Sequence, residues 1–254
     1  MNIYYFANKP IGEKCLDILL EFQNKKKLTI SLVVSPEPKS QENWWGNTSI
    51  KEIAKQNNLK YVNPNEARKL SLPLQENSDS WLLSVQYPDI FDERTLNLFD
   101  ERTANLHLAP LPDFRGWYGP SHAILQERKS YGWTIHEMTS QVDCGAILAS
   151  GEVKVAKRET AISLYQKTEE SAISGFKKFI TQLVDHNLKP KQMKMKKSKF
   201  YGRDSLDRFR TINLDQSNPK QTDRIVRALY FPPHAMPTFS SFKIQKEVDS
   251  EGSN

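Results

Sequence analysis

Leu28-Thr29-Ile30-Ser31-Leu32-Val33-Val34 is the stretch on which the fold turns. A continuous, uncharged, β-branched run of this length is the pattern of a strand buried on both faces of a parallel sheet. On its N-terminal side, residues 2–6 (Asn-Ile-Tyr-Tyr-Phe) form a second short β-rich run. Pro10 and Gly12 then predict a turn, and Cys15, Ile18, Leu19 and Phe22 recur at helical spacing on one face. On its C-terminal side, a polar loop leads to Thr48 or Ser49 as the cap of a helix carrying Ile50, Ile53 and Ala54. Further strands are expected at residues 59–62 and 80–85, with a helical or irregular stretch between them. This strand–helix rhythm predicts an α/β fold: an open, Rossmann-like, mostly parallel sheet with helices on both faces.

The chain has 254 residues, 38% of them hydrophobic and 26% charged, enough to bury a core of one large domain with a small appendage. No window approaches the roughly 18 consecutive apolar residues of a membrane span. Residues 1–6 carry no basic run ahead of their apolar stretch, so a signal peptide is not expected. Two cysteines, Cys15 and Cys144, exclude a disulfide scaffold and a cysteine zinc cage. The expectation is a cytoplasmic globular protein with no membrane partner. A net charge of +6 suggests anionic partners. Six lysines and no acid fall between Lys189 and Lys199, but without an aromatic residue or helical spacing the run reads as a solvated connector, not a nucleic-acid surface.

In the second half, strands are expected at 134–138 and 147–155 and a helix at 160–183. That helix presents Ile162, Leu164, Tyr165, Ile173, Phe176, Phe179, Ile180 and Leu183 to the core. A short helix is expected at 121–127 and another at 222–229. The change of composition near Lys189 divides the chain into a catalytic domain at 1–188 and a small C-terminal subdomain with a polar tail at 189–254.

Ligands of open α/β sheets bind outside the carboxyl ends of the strands. The densest cluster of chemically able residues falls at such an end: Asn105-Leu106-His107, then Ala109-Pro110-Leu111-Pro112-Asp113-Phe114-Arg115-Gly116. Asn105 and His107, two apart in an extended segment, point to the same side. An amide and an imidazole held side by side can polarise a carbonyl and move a proton. Alone, a histidine in a proline-rich loop has an ordinary structural reading, and so has Asp143 in the turn Asp143-Cys144-Gly145. Their order and spacing together are specific.

With Gly132-Trp133-Thr134-Ile135-His136-Glu137-Met138 between them, these segments resemble the folate-dependent formyltransferases. That family's pattern is Asn-x-His, Leu-Pro-x-x-Arg-Gly, Gly-x-Thr-x-His-x-Met and Asp-x-Gly. The resemblance implies a 10-formyltetrahydrofolate-dependent N-formyltransferase with Asn105, His107 and Asp143 as its catalytic trio, His136 in structural support, and no metal. It also implies folate contacts from the stretch Ser84 to Ile90, with Val85, Gln86, Tyr87 and Ile90 foremost, and from Gln141 and Val142. The C-terminal region, shorter than in the methionyl-tRNA enzymes, resembles the sugar N-formyltransferases. The implied acceptor is a nucleotide-linked amino sugar, of the UDP- or dTDP-4-amino-4,6-dideoxy type, destined for surface glycans. A homodimer is compatible with this reading, and a nucleic-acid partner is not expected.

Two loops are expected to line the acceptor's path along the strand ends. Asn8 and Lys9 precede a helix whose N-terminus favours anions. Trp44 and Trp45, adjacent in a polar loop, predict one ring packed inward and one facing a flat ligand. Arg115 is expected to contact the acceptor beside them.

Overall fold

Strand and helix alternate through the first half of the chain: β1 (Asn2–Ala7), α1 (Lys9–Asn24), β2 (Thr29–Val34), α2 (Ile50–Gln56), β3 (Tyr61–Val62), α3 (Pro64–Ala67), β4 (Ser80–Val85), α4 (Glu93–Asn97) and β5 (Thr103–His107). Then follow β6 (Arg115–Gly116), α5 (Gly119–Leu125), β7 (Ser130–His136), β8 (Ile147–Lys154) and α6 (Ala161–Val184). The C-terminal part holds β9 (Phe200–Tyr201), a 3-10 turn (Asp207–Phe209), β10 (Thr211–Asn213), α7 (Pro219–Leu229) and β11 (Thr238–Ser240). The computed structural model describes residues 1–37, 50–70, 79–194, 199–216, 218–234 and 236–241.

Seven strands form one mixed sheet in the order β3-β2-β1-β4-β5-β7-β8. The first five run parallel; β7 is antiparallel to β5 and to β8. The chain adds strands to one side of β1 and then, from β4 onward, to the other, so the carboxyl ends of β1 and β4 flank a topological switch point. β1, β2 and β4 are apolar on both faces because helices cover both. Strand β8, at the sheet's edge, instead alternates half-buried and exposed residues from Ala149 to Lys154, with Leu148 its one buried residue.

One face packs α1, α2 and α6 over Tyr5, Val33, Leu83 and Leu106, with Leu16, Leu19, Ile50, Phe176 and Phe179 supplied by the helices. Each such side chain contributes about 1.5–3 kcal/mol when fully buried. The other face carries Leu96, at α4, and Phe99 over Tyr4, Phe6 and Leu82. The long helix α6 starts at Thr160, whose hydroxyl accepts from the Ser163 N–H. Trp133 of β7 lies so close to α6 that a Cβ on Gly175 would meet its ring at 2.0 Å, and its indole N–H donates to the Ser171 hydroxyl at 2.9 Å.

Pro10 and Gly12 do not form the expected turn. Pro10 lies in the first turn of α1, where its missing N–H costs nothing, and Gly12 faces Ala7 inside the helix. The strand expected at 134–138 begins earlier, at Ser130, because Tyr131, Gly132 and Trp133 are already paired with β8. The 48–49 cap lies outside the described residues. C-terminal elements pack onto the sheet domain: Tyr201, Ile212, Ile225, Ala228 and Leu229 share a cluster with Phe114, Ile124, Tyr131 and Leu164. Among the described residues, no helix is long and apolar enough to cross a membrane.

Candidate active site

Register places the first polar row. Ser84 of β4 is aligned with Asn105 of β5, and Asn105 with His136 of β7. Residues opposite one another in neighbouring strands share a face, so these three side chains form a row across the sheet near the carboxyl end of β5. His107, two residues beyond Asn105, shares that face.

The row is wired from one end. His136 is 2% exposed, and its Nδ1–H donates to the Glu137 carbonyl at 2.7 Å. Burial, with the His107 ring beside it, holds His136 well below the usual imidazole range and therefore neutral at physiological pH. Its Nε2 is then an acceptor, 3.2 Å from Asn105 Nδ2. One amide hydrogen of Asn105 is thus spent on His136, which sets the amide's orientation and leaves the second hydrogen for a ligand.

Asp143 closes the site from the loop between β7 and β8. It is 7% exposed and takes a left-handed conformation (φ 57°). Its Oδ1 lies 3.8 Å from His107 Nδ1 and 3.6 Å from His136 Nε2, while its Oδ2 accepts the Gly116 N–H at 3.0 Å. Burial raises its pKa, but His107, the Gly116 N–H and Arg115 draw it down, and the net position is below the usual carboxylate range. Asp143 is therefore ionised at neutral pH. The His107 Nε2 edge faces the Phe114 carbonyl at 3.4 Å. Gly145 serves this loop by close approach: a Cβ there would sit 2.0 Å from the Glu137 carbonyl that fixes His136.

A cavity of about 180 Å³ adjoins the row. Asn105, His136 and Asp143 form its polar end; Tyr87, Phe91, Leu96 and Met138 line its apolar part, with Ile90 and Val142 at the rim, where they are 77% and 38% exposed. Tyr87 and Phe91 stack at 5.5 Å, and both meet Phe6 edge-on. Thr103 steadies the Met138 wall, accepting the Met138 N–H at 2.9 Å.

The structure therefore brings Asn105, His107 and Asp143 together, with Tyr87, Ile90 and Val142 beside them. Val85 is fully buried in the core, and Gln86 and Gln141 do not line the cavity. Gln86 accepts from Lys9 Nζ at 2.9 Å. Asn8 caps α1 through the Lys9 N–H, and burial lowers the Lys9 pKa to about 8 against the raising effect of Glu169. Arg115 Nη2 donates to the Val142 carbonyl at 2.7 Å. Trp44 and Trp45 lie outside the described residues. Phe91, Leu96 and Thr139 were missed by sequence reasoning; the only signal for the first two was their apolar character just beyond the expected folate stretch. Among the described residues, no cluster of His, Cys, Asp and Glu could hold a metal ion.

The model of the formyl transferase family matches residues 6–180. The methionyl-tRNA formyltransferase of Mycoplasma mycoides subsp. mycoides SC is 24% identical over 186 residues, 73% of this chain and 58% of that protein. The chain thus spans somewhat more than half the length of this curated relative. Two solved structures share the fold nearly end to end. A sugar N-formyltransferase from Shewanella sp FDAARGOS_354 has a TM-score of 0.74 at 21% identity, covering 94% of this chain and 92% of that one. The Helicobacter canadensis N-formyltransferase, solved with folinic acid and dTDP-3-aminofucose, also has a TM-score of 0.74, at 18% identity over 95% and 84%. The match across the sheet domain, with the trio assembled inside it, makes this chain a member of the formyl transferase family.

Proposed function

We propose that the protein transfers a formyl group from 10-formyltetrahydrofolate to the amine of a nucleotide-linked amino sugar. The observation that carries the transfer is the meeting of Asn105 and an ionised Asp143 at one end of a cavity walled by aromatic and aliphatic side chains, with His107 3.8 Å from Asp143. The donor's flat ring end suits the cavity between Tyr87, Phe91 and Met138, with its formyl group at Asn105; the rest of the donor extends over Ile90 and Val142.

The amine's lone pair attacks the formyl carbon, and the carbonyl electrons move onto oxygen. The second amide hydrogen of Asn105 donates to that oxyanion. As the tetrahedral centre collapses, the carbon–N10 bond breaks. The proton lost by the amine passes through His107 and Asp143, directly or by water, to N10 of the departing folate. Neutral His136 takes no part in proton transfer; it holds Asn105 in the donating orientation.

The choice of acceptor is supported by the likeness in fold to sugar N-formyltransferases, which covers 94% of this chain, whereas the similarity to the methionyl-tRNA enzyme covers 73%. The test is to supply purified protein with 10-formyltetrahydrofolate and a panel of UDP-, dTDP- and GDP-amino sugars, following tetrahydrofolate release. Release that depends on one amino sugar and yields its formamide supports the reading. Release as fast without any amine identifies a hydrolase and refutes it.

A further inference from the structure

Asp143 is the one member of the trio that no strand carries. Asn105 and His107 lie on β5, whereas Asp143 sits in the loop between β7 and β8, whose residues 139–142 are exposed. Its left-handed backbone (φ 57°) is uncommon outside glycine and persists where the surroundings hold it. Among the described residues, two hydrogen bonds tie residues 139–144 to another element, and both come from β6. The Gly116 N–H donates to Asp143 Oδ2, and Arg115 Nη2 donates to the carbonyl of Val142, the residue just before it.

β6 is a short support that stands apart from the main sheet. It is two residues long and pairs with β9, Arg115 beside Phe200 and Gly116 beside Tyr201. The Trp117 N–H donates to the Tyr201 carbonyl at 2.9 Å, and a Cβ on Gly116 (φ 86°) would lie 2.4 Å from that same oxygen. On its other side β9 lines a second cavity, of about 530 Å³, between α5 and the 199–209 segment. The Arg115 guanidinium lies on this seam, 5.8 Å from the Phe200 ring centre, and its Nε is buried without a hydrogen-bond partner among the described residues. Buried donors left unmet are rare. Here the fork is turned so that Nη2 meets the Val142 carbonyl, and Nε goes without. The titratable and charged groups facing Asp143 are His107 from β5, His136 from β7 and Arg115 from β6. His136 is neutral, so Arg115 is the fixed positive charge of the set.

We propose that Arg115 is a positioning residue for formyl transfer: it clamps the Asp143 loop to β6 through the Val142 carbonyl and keeps a fixed positive charge beside the carboxylate. The inference rests on the reading of Asp143 as part of the proton's path. It gives Arg115 a task on the loop in place of the acceptor contact expected from sequence. Arg115→Gln keeps a donor and loses the charge; Arg115→Lys keeps the charge and loses the fork. Thermal melting checks that both fold, and Arg115→Met, which keeps the apolar stem, takes the place of Arg115→Gln if that variant does not. Two readouts are needed. One is steady-state kinetics with 10-formyltetrahydrofolate and the amino sugar that supports turnover. The other is a 13C NMR titration of protein labelled at the aspartate carboxyl carbon, with the Asp143 signal assigned by its loss in Asp143→Asn.

In Arg115→Gln, kcat should fall on the order of tenfold, as for a catalytic group displaced by a fraction of an ångström, with both KM values little changed. The Asp143 midpoint should move to higher pH, because a charge that favours the carboxylate is gone. Arg115→Lys should return the midpoint toward its native position and recover only part of kcat. An Asp143 midpoint unmoved in Arg115→Gln overturns the proposal. So does native kcat in that variant; native kcat with a raised KM for the amino sugar would make Arg115 an acceptor contact. If the native protein shows no turnover that depends on an amino sugar, the proposed acceptor falls, and the titration by itself still decides the role of Arg115.

Discussion

The two cavities on either side of β6 are built from opposite materials. The one at the carboxyl ends of β4 and β5 is walled by Tyr87, Phe91, Leu96 and Met138, and its polar groups already hold one another: Asn105 with His136, His136 with Glu137, Asp143 with Gly116. The one behind β9 is bordered by Lys199 and Arg208, which have no carboxylate partner among the described residues. A preorganised polar edge over an apolar slot suits a neutral ring whose charge appears only during reaction, since donors fixed beforehand need no reorganisation. Arg115 lies between the two cavities, one nitrogen on the Asp143 loop and its guanidinium over Phe200.

The largest expected effect lies on the catalytic side. Asn105→Ala removes the proposed oxyanion donor and should lower kcat by on the order of a hundredfold, with the melting temperature little changed because Asn105 is only half-buried. A variant retaining most of its turnover would erase the distinction between the cavities. Next comes a crossed pair. Phe91→Ala should raise the KM for 10-formyltetrahydrofolate by about tenfold and leave kcat alone, and Arg115→Gln should do the reverse, lowering kcat at an unchanged KM. Both substitutions moving the same parameter would show that the apolar slot and the β6 seam act as one.

Gly145→Ala is expected to act through geometry. Its methyl group would displace the Glu137 carbonyl, with it His136, and so loosen Asn105. A loss of about 1–3 kcal/mol of stability should accompany a fall in kcat larger than any change in KM. Stability without loss of rate would show that the loop tolerates the methyl group.

The smallest effect is a pH dependence. His122 and His136 are held by burial to about 4. Between the unfolded value near 6.5 and the folded value, the unfolded chain binds more protons than the native one, so stability falls as pH drops through this window. Each ring contributes at most about 1.4 kcal/mol per pH unit there. Urea denaturation at pH 7 and pH 5 should show the fall, and His122→Gln should flatten part of it; equal acid sensitivity in that variant would place the effect elsewhere.

Much of the fold was legible because burial on both faces leaves an unmistakable pattern. Ser80–Val85 is a strand over the residues its composition marks, and Thr160 caps α6 where a hydroxyl precedes an apolar periodicity. Pro10 misled because proline marks a turn and a helix's first turn equally well. Gly132 hid the true start of β7, since a glycine argues against a strand unless a close backbone neighbour, here the Gly151 carbonyl, is known to leave no room for a Cβ. The trio was legible through the resemblance of its motifs to the family, and β5 with the loop between β7 and β8 brings those positions together here. The wall of Phe91 and Leu96 was not, since α4 folds back by packing on Tyr4 and Phe6, which no local pattern records. Lys199 read as the end of a solvated run, and Arg208 drew no reading, because a sequence shows a cation's charge and not whether an acid neutralises it.

The account's central claim is that Asn105, His107 and Asp143 pass a formyl group to an amine. The most direct measurement follows a 13C-labelled formyl group from 10-formyltetrahydrofolate by mass spectrometry, in the native protein and in His107→Ala, with the amino sugar that supports turnover. The account predicts label in the sugar's formamide with the native protein, at a rate lower by on the order of a hundredfold in the variant, and little label in formate. Label reaching the formamide equally fast in His107→Ala would contradict it.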